Sequence, residues 1–367
     1  MQLGFGNPAQ AELLQEANIY NVSVINPINS LVYIYASVPR LYKPTRIAIL
    51  AREQDDYVKS IALDVAGFDS FGISVTCEFH HKHRQALTNQ ARFFWQVHTV
   101  TGIVCDIPDF QDSPETYTPR LVINGEQYFA NTTLRVLQEL PLKHTFCSCL
   151  MLWKRSEFML EYLAYYTAVH GLAHTIVIVQ DLETMEELEW LKAFFSLETH
   201  YWPHMYTQPS MMSYCSVLAQ QKCEWVSQWD IDEFLYLDKD IRLVEFSKTV
   251  SPKAWSAQFR LHFVQMFANE TVTLTPPGGV LRNFKCSMSA TISEKSILRL
   301  ANMHPSFINK VHWFFGAKDT SDTYLSAMAH YAVQSWELYR LKYRSAVADY
   351  GIQTQHAGLD EPSAVYV

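Results

Sequence analysis

The chain has 367 residues, of which 18% are charged and 14% aromatic, and its formal net charge is -8. This acidic balance, without any run of basic residues, argues against a nucleic-acid partner. The length is typical of two domains, each with enough chain for a packed core.

The amino-terminal segment shows no targeting signal. Its first fifteen residues lack the apolar core of a signal peptide, and no window in the chain reaches the ~18 apolar residues of a membrane-spanning helix. We therefore expect no membrane span in this chain. Asn-x-Ser/Thr sequons at Asn21, Asn131 and Asn269 are compatible with a secretory lumen.

Seven cysteines are scattered along the chain without a Cys-x-x-Cys spacing. This pattern disfavours a zinc ribbon or a redox motif, and the odd number leaves at least one thiol free. We interpret Cys147 and Cys149 as part of a strand that faces both ways rather than as metal ligands.

Short β-strands are predicted over the first 140 residues. They lie at 31–35, 46–50, 73–77, 102–105 and 120–123, separated by turn residues. Asn124-Gly125 between two apolar runs predicts a two-residue hairpin. The pattern predicts a β-rich, sandwich-like domain over residues 1–140, which is either an ancillary glycan-binding module or a scaffold packed against the rest of the chain.

After Pro141 strands and helices alternate. Apolar runs predict strands at 146–153, 175–179, 200–202 and 224–229, with helices at 156–170, 184–195 and 210–221 between them. Ser156 is the expected cap of the first helix, and Thr184 with Glu187 forms an expected capping box for the second. The order predicts an α/β domain over residues 141–350, with a mostly parallel sheet flanked by helices, and a tail over 351–367.

Three carboxylates, Asp230, Asp232 and Glu233, follow the last of these strands. Strand side chains alternate, so Asp230 and Asp232 are predicted to point to the same side. Two hard oxygen ligands at the end of a strand suit Mn²⁺ or Mg²⁺, which keep positions open for phosphate oxygens. The alternative is a solvated acidic turn, but the apolar neighbours make unpaired carboxylates costly there.

Cationic residues follow the first strand of the predicted sheet. Lys154 and Arg155, followed by Glu157, lie after this strand, and the two cations would meet one end of a nucleotide diphosphate, with the metal at the other end. Lys295 is a second candidate for a phosphate contact, and an exposed strand residue is the alternative. The chain has no Gly-x-Gly-x-x-Gly and no Gly-x-x-x-x-Gly-Lys, which disfavours a Rossmann dehydrogenase or a P-loop enzyme.

These residues resemble the family-92 glycosyltransferases over about residues 142–350. The resemblance is carried, in order, by Lys154-Arg-Ser-Glu157, Glu161-Tyr-Leu-Ala-Tyr-Tyr166 with Gly171, Gln208, the Asp-Ile-Asp-Glu-Phe that starts at Asp230, Lys295-Ser-Ile, His312-Trp-Phe, and His330-Tyr331 with Ser335-Trp-Glu337. The sequence departs from the family pattern at Lys154-Arg-Ser-Glu157, which replaces Lys-Asn-Glu, and at Val179-Gln-Asp181, which replaces Tyr-Asp-Asn.

The resemblance implies a GT-A fold and a metal-dependent, inverting transfer of a sugar, galactose foremost, from a UDP-sugar to a glycan acceptor. It also implies a Golgi or secretory-pathway lumen, with Mn²⁺ as the cofactor and Mg²⁺ as the alternative; a homodimer is left open. The implied donor-binding residues are Lys154, Arg155, Glu157, Asp181, Gln208, Asp230 and Lys295. The implied metal ligands are Asp230, Asp232 and His330, and the implied acceptor-binding residues are His312 and Trp313.

An inverting transfer also needs a general base for the acceptor hydroxyl. The downstream candidates are Asp319, Asp322, Glu294 and Glu337, and Asp319 is preferred because it lies in a polar loop beside the His312-Trp-Phe motif. Two other functions stay open on the sequence alone. One is a metal-dependent phosphohydrolase that uses the same acidic cluster, and the other is an inactive, lectin-like glycan-binding protein.

Overall fold

The computed structural model describes residues 22–26, 31–37, 74–97, 100–123, 125–129, 134–137, 143–153, 155–202, 208–237, 241–250, 258–267, 281, 286–302, 309–310, 313–314 and 320–333. Several expectations from the sequence lie outside these residues: the strand at 46–50, the three sequons, Lys154, His312, Asp319 and the tail over 351–367.

The amino-terminal part forms an eight-stranded sheet. Its strands are β1 (Val22–Asn26), β2 (Leu31–Ser37), β3 (Val75–His81), β4 (Arg84–Val97), β5 (Val100–Asp106), β6 (Tyr117–Ile123), β7 (Glu126–Phe129) and β8 (Arg135–Val136). They lie in the order β7-β6-β3-β4-β5-β2-β1-β8. The predicted hairpin is confirmed, because Ile123 pairs with Glu126 across the turn and Gly125 has a φ of 81°.

A second eight-stranded sheet follows. Its strands are β9 (His144–Leu152), β10 (His174–Val179), β11 (Leu197–Tyr201), β12 (Cys223–Gln228), β13 (Glu233–Leu237), β14 (Gln258–Phe267), β15 (Cys286–Arg299) and β18 (Thr320–Val333), while β16 (Asn309–Lys310) and β17 (Trp313–Phe314) pair separately. The order is β11-β10-β9-β12-β15-β14-β18-β13. The four strands from β11 to β12 are parallel, as the alternating pattern predicts, but β15 runs antiparallel to β12, so the whole sheet is mixed.

Four α-helices are described: α1 (Met159–His170), α2 (Leu182–Glu187), α3 (Gln208–Gln220) and α4 (Leu243–Val250). The first three connect successive parallel strands from β9 to β12. α1 ends as predicted at Gly171, whose φ of 66° is the left-handed conformation that glycine adopts at little cost. Among the described residues no helix is long and apolar enough to cross a membrane.

Both predicted helix caps are wrong. Ser156 lies in a 3-10 turn (Ser156–Phe158) ahead of α1, and its hydroxyl donates to the Glu187 carboxylate. The cap of α2 is Asp181, whose Oδ1 accepts the Thr184 N–H at 2.8 Å. The helix begins at Leu182, two residues before Thr184, so Asp181 and not Thr184 occupies the N-cap position.

The two sheets share part of their hydrophobic core. On β2, Leu31 and Tyr33 belong to the same buried cluster as Tyr214 and Leu218 of α3. The alternate residues of β2, Val32 and Ile34, belong to a different buried cluster, which residues of the first sheet form with each other. Alternation along β2 therefore places one face of the strand in the first sheet's own core and the other in a core shared with α3.

Three disulfides join six of the seven cysteines: Cys77–Cys105, Cys147–Cys223 and Cys149–Cys215. The last two disulfides each have one cysteine on β9, a strand that is buried on both faces as predicted. They join residues that are 76 and 66 positions apart in sequence. By loop entropy each stabilises the folded chain by about 4 kcal/mol. The seventh cysteine, Cys286, is the first residue of β15.

Candidate active site

The three predicted carboxylates lie in the tight connection between β12 and β13. The Glu233 N–H donates to the Asp230 carbonyl at 3.0 Å, so the segment is a turn and not extended chain. The strand-alternation argument for bringing Asp230 and Asp232 together is therefore wrong, since a turn connects them. Asp232 and Glu233 are each 1% exposed, whereas the Asp230 side chain is 34% exposed.

Two cations approach this acidic turn. The Lys295 Nζ lies 3.1 Å from Oδ2 of Asp230 and 3.0 Å from Oε1 of Glu233. The Arg155 Nη1 lies 3.5 Å from Oδ2 of Asp232. Lys295 comes from β15 and is only 1% exposed, so the alternative of an exposed strand lysine is wrong. The structure brings Arg155 and Lys295 together with the acids although they are 140 residues apart in sequence.

His330 reaches the turn from β18, the strand that pairs with β13. The register places His330 opposite Glu233. Its Nε2 lies 3.5 Å from Oδ1 of Asp232, and the next residue, Tyr331, donates its N–H to the Asp232 carbonyl at 2.8 Å. Side-chain and backbone contacts thus fasten Asp232 to the same strand.

Side chains of α1 hold the outer edge of β13, the last strand of the sheet. The Tyr166 hydroxyl donates to the Glu233 carbonyl at 2.8 Å and accepts the Leu235 N–H at 3.0 Å. The Leu235 carbonyl accepts from the Tyr165 hydroxyl at 2.5 Å and from Nε2 of His170 at 2.7 Å. Buried backbone groups at a strand edge need such partners, and here a helix supplies them.

Opposing effects set the protonation of the central groups. Partial burial favours the neutral form of Asp230, but the Lys295 ammonium outweighs it and lowers the pKa of this carboxyl below its ordinary value. Burial raises the pKa of Glu233 to about 7, a rise that Lys295 opposes and Asp230 strengthens. Burial also disfavours charge on Lys295, yet the two carboxylates raise its pKa, so the lysine stays cationic.

The predicted metal ligands make up a partial donor set. Oδ1 of Asp232 and Nε2 of His330 are 3.5 Å apart, close to the ~3 Å that separates neighbouring ligands on an octahedral ion with bonds of ~2.1 Å. Carboxylate oxygens and imidazole are suitable donors for Mn²⁺ or Mg²⁺. Within the described part of the chain, however, no three His, Cys, Asp or Glu side chains already form a complete metal-binding group. These residues fit a cation that takes further ligands from elsewhere.

The other predicted site residues are placed less completely. Glu157 is exposed in the turn before α1. Asp181 stands at the carboxyl end of β10, where one carboxylate oxygen caps α2 and the other, buried, has no hydrogen-bond partner in the described structure. For the remaining residues the structure gives backbone positions: Gln208 begins α3, Glu294 lies in β15, Trp313 in β17 and Asp322 in β18.

Glu233 and the α1 side chains that support it are parts of this arrangement to which the sequence pattern assigns no role. The charge of Glu233 next to two aspartates was a usable signal, because a buried carboxylate needs a cationic partner. Tyr166 and His170 had no such signal. They contact β13 across sequence separations of 65 to 69 residues, which no local pattern records.

The sequence profile of Glycosyltransferase family 92 matches residues 143–358. A family-92 protein of Oryza sativa subsp. japonica is 28% identical over 219 residues, which are 56% of this chain and 36% of that protein. One of Arabidopsis thaliana is 25% identical over 252 residues, 65% of this chain and 44% of that protein. The matched part of the chain therefore spans less than half the length of each of these relatives.

Among solved structures, that of residues 1–349 of S. aureus TarS matches 59% of this chain and 68% of its own, with 14% identity and a TM-score of 0.34. The same protein in complex with UDP-GlcNAc matches with 13% identity and a TM-score of 0.34, over 59% of this chain and 69% of its own.

Proposed function

The chain belongs to glycosyltransferase family 92, and we propose from this premise that it transfers a sugar, galactose foremost, from a UDP-sugar to a glycan acceptor with the help of a divalent cation. The observation that supports this proposal best is the acidic turn after β12, where three carboxylates, one imidazole and two cations meet. A nucleotide diphosphate needs a metal and cationic side chains close to each other, and both can be supplied there.

Arg155 and Lys295 are the residues we propose for the diphosphate. Both cations are held near the turn by carboxylates, so little side-chain freedom remains to be lost when phosphate oxygens arrive. We also propose that Asp181, after the carboxyl end of β10, and Gln208, at the start of α3, contact the nucleotide sugar. A GT-A arrangement of the second sheet is part of the same proposal.

Asp230, Asp232 and His330 would hold the cation, Mn²⁺ in preference to Mg²⁺. Such an ion, when bound, stabilises negative charge on the leaving diphosphate. Asp230 is suited to this position because its side chain is the more exposed of the two aspartates. Asp232, which is buried, also fixes the turn through its backbone contact with β18.

The transfer step is proposed to invert the anomeric carbon. The acceptor oxygen forms the new bond to that carbon, the bond to the diphosphate oxygen breaks, and a carboxylate takes the proton of the acceptor hydroxyl. Asp319 is the preferred base, with Glu294 and Asp322 as the other candidates. His312 and Trp313 are proposed to form the acceptor wall.

The three disulfides support a Golgi or secretory-pathway lumen. Structural disulfides persist in oxidising compartments and are rare in reducing ones. Here they join buried cysteines of both sheets. A lumen is also where glycan acceptors for such a transfer would be met.

A screen of UDP-sugars, with and without Mn²⁺ and with a glycan acceptor library, tests the proposal. We expect transfer that depends on Mn²⁺ and is lost, by at least about 100-fold, in Asp230→Asn and in Asp232→Asn, while each variant keeps its stability to within about 3 kcal/mol. Asp109→Asn, at an exposed position of the first half, is the control and should match the unchanged protein.

Activity of either aspartate variant in the presence of a chelator would contradict the metal role. Metal-dependent release of UMP or phosphate without any acceptor would favour the phosphohydrolase instead. Glycan binding without turnover of any nucleotide sugar would favour the lectin-like alternative.

A further inference from the structure

Lys295 is shared between two carboxylates. Its Nζ lies almost midway between Oδ2 of Asp230 and Oε1 of Glu233, at 3.1 and 3.0 Å. Lys295 and Glu233 are both 1% exposed, so neither side chain can exchange its partner for bulk water. A buried ammonium left with one partner would bind that partner more tightly.

The two carboxylates differ in what else they can do. The Asp230 side chain is 34% exposed and is a proposed metal ligand, while the Glu233 side chain is closed off from solvent. An ammonium that pairs with Asp230 alone would compete with a metal cation for the same oxygen atoms. Glu233 removes part of that competition because it offers Lys295 a second carboxylate.

Glu233 is also fixed at several points. Its Oε2 accepts the Asp230 N–H at 2.8 Å, and its own N–H donates to the Asp230 carbonyl at 3.0 Å. The Tyr166 hydroxyl holds its carbonyl at 2.8 Å. A side chain held in this way can set the position of Lys295 without moving when ligands bind.

We propose that Glu233 is a positioning residue: it anchors Lys295 between the two carboxylates and thereby leaves Asp230 available to a divalent cation. The proposal rests on the proposed function, because it assigns the cation to Asp230. Glu233 itself touches neither metal nor substrate in this scheme. Its removal should matter only while Lys295 is present.

A double-mutant cycle tests this dependence. UDP affinity in the presence of Mn²⁺ is measured by calorimetry for the unchanged protein, Glu233→Gln, Lys295→Met and the double variant. Glutamine keeps an acceptor for the Asp230 N–H and removes only the charge. Glu161→Gln is the matched control, since its Oε1 accepts the Leu281 N–H and it does not contact Lys295 in the described structure.

We expect Glu233→Gln to weaken Mn²⁺-dependent UDP binding about tenfold in the unchanged background and less than about twofold in the Lys295→Met background. Glu161→Gln should stay within about twofold. Equal losses in both backgrounds would mean that Glu233 acts only as one more negative charge, and no loss in either would remove it from the site; each result overturns the proposal.

Two further outcomes are separable. If the unchanged protein shows no Mn²⁺-dependent UDP binding, the metal part of the proposed function fails and the role of Glu233 fails with it. If Glu233→Gln does not fold, the comparison between Lys295→Met and the double variant remains, and a tenfold difference there would still contradict the proposal.

Discussion

Tyr166 makes hydrogen bonds to the backbone of β13 that a neighbouring strand would otherwise make. Its hydroxyl is both donor and acceptor, and it satisfies the Glu233 carbonyl and the Leu235 N–H on the free edge of β13. Burial raises the pKa of this hydroxyl well above its ordinary value, so it keeps the proton that it donates. This phenol oxygen of α1 is therefore one of the contacts that fix the start of β13, next to the acidic turn.

Tyr166→Phe should leave two buried backbone groups without partners, at a cost of about 1 to 3 kcal/mol each in the free energy of unfolding. We also expect it to weaken Mn²⁺-dependent UDP binding, because β13 begins at Glu233. Denaturant unfolding and calorimetric titration measure the two effects.

Tyr162→Phe is the control for this variant. It lies one turn earlier on α1, is equally buried, and bonds to the Ser148 hydroxyl at 2.6 Å rather than to β13. It should lower stability but leave UDP affinity unchanged. If both variants bind UDP equally well, Tyr166 has only a structural role.

At the scale of elements, the opposite ends of the parallel strands differ in character. The carboxyl end of β12 leads to the acidic turn, whereas the amino ends of β9 and β10, together with β11, carry a cluster of histidines around one carboxylate. Glu198 accepts from Nε2 of His200 at 2.5 Å, lies 3.5 Å from Nε2 of His174, and contacts the Lys222 ammonium. The ring of His144 stacks on that of His174, with centroids 5.0 Å apart.

This amino-end cluster makes stability depend on pH. Partial burial works against the charge of Glu198, but the nearby His174 imidazole, the hydrogen bond from His200 and the Lys222 ammonium together lower its pKa below the ordinary value. Burial lowers the pKa of His144, and neighbouring cations lower it further. Both groups bind protons more weakly when folded, so acid favours the unfolded chain: below about pH 6.5 through His144 and below about pH 4.3 through Glu198.

Glu198→Gln should therefore cost about 1 to 2 kcal/mol at pH 7, after allowance for partial exposure, and flatten the loss of stability below pH 4.3. Unfolding in denaturant at several pH values between 3 and 7 measures the slope. Glu189→Gln, an exposed partner of Lys192, serves as the control and should leave the slope unchanged. Identical slopes for the two variants would exclude Glu198 as the group responsible.

At the scale of the whole molecule, the first sheet covers part of the second half. Leu31, Tyr33 and Val104 share a buried cluster with α3 and its neighbours. This contact suits a scaffold packed against its neighbour, while the glycan-binding role of the first sheet stays a prediction. The boundary near residue 140 likewise stays a prediction, and it falls between β8 and β9.

A fragment of residues 141–350 should bind UDP with Mn²⁺ as tightly as the whole chain, because all proposed donor contacts lie within it. It should be less stable by at least about 3 kcal/mol, since removal of Leu31 and Tyr33 uncovers apolar surface of the shared core. Denaturant unfolding and calorimetry compare the two chains. Loss of UDP binding by a folded fragment would show that the first sheet completes the site.

Local chemistry predicts part of the acidic cluster. Asp230, Asp232 and Arg155 follow from their types and their positions after predicted strands, whereas Lys295 and His330 follow from the family resemblance. The parallel strands from β9 to β12 follow from apolar runs and helix signals. The turn at Asp230 was missed because Trp229 and Ile231 are as compatible with a strand as with a turn. The pairing of β13 with β18 and the support from α1 depend on contacts far apart in sequence, which local preferences do not specify.

The pairing of Cys147 and Cys149 with Cys223 and Cys215 gives the second half an unusual connectivity. Residues 149 to 215 form a covalent ring that includes β10, β11 and most of α3, and it is tied to the middle of β9. A single break of the backbone within that ring would leave one molecule and not two, because the disulfide still joins the pieces. For this part of the chain, continuity does not depend on an unbroken peptide backbone.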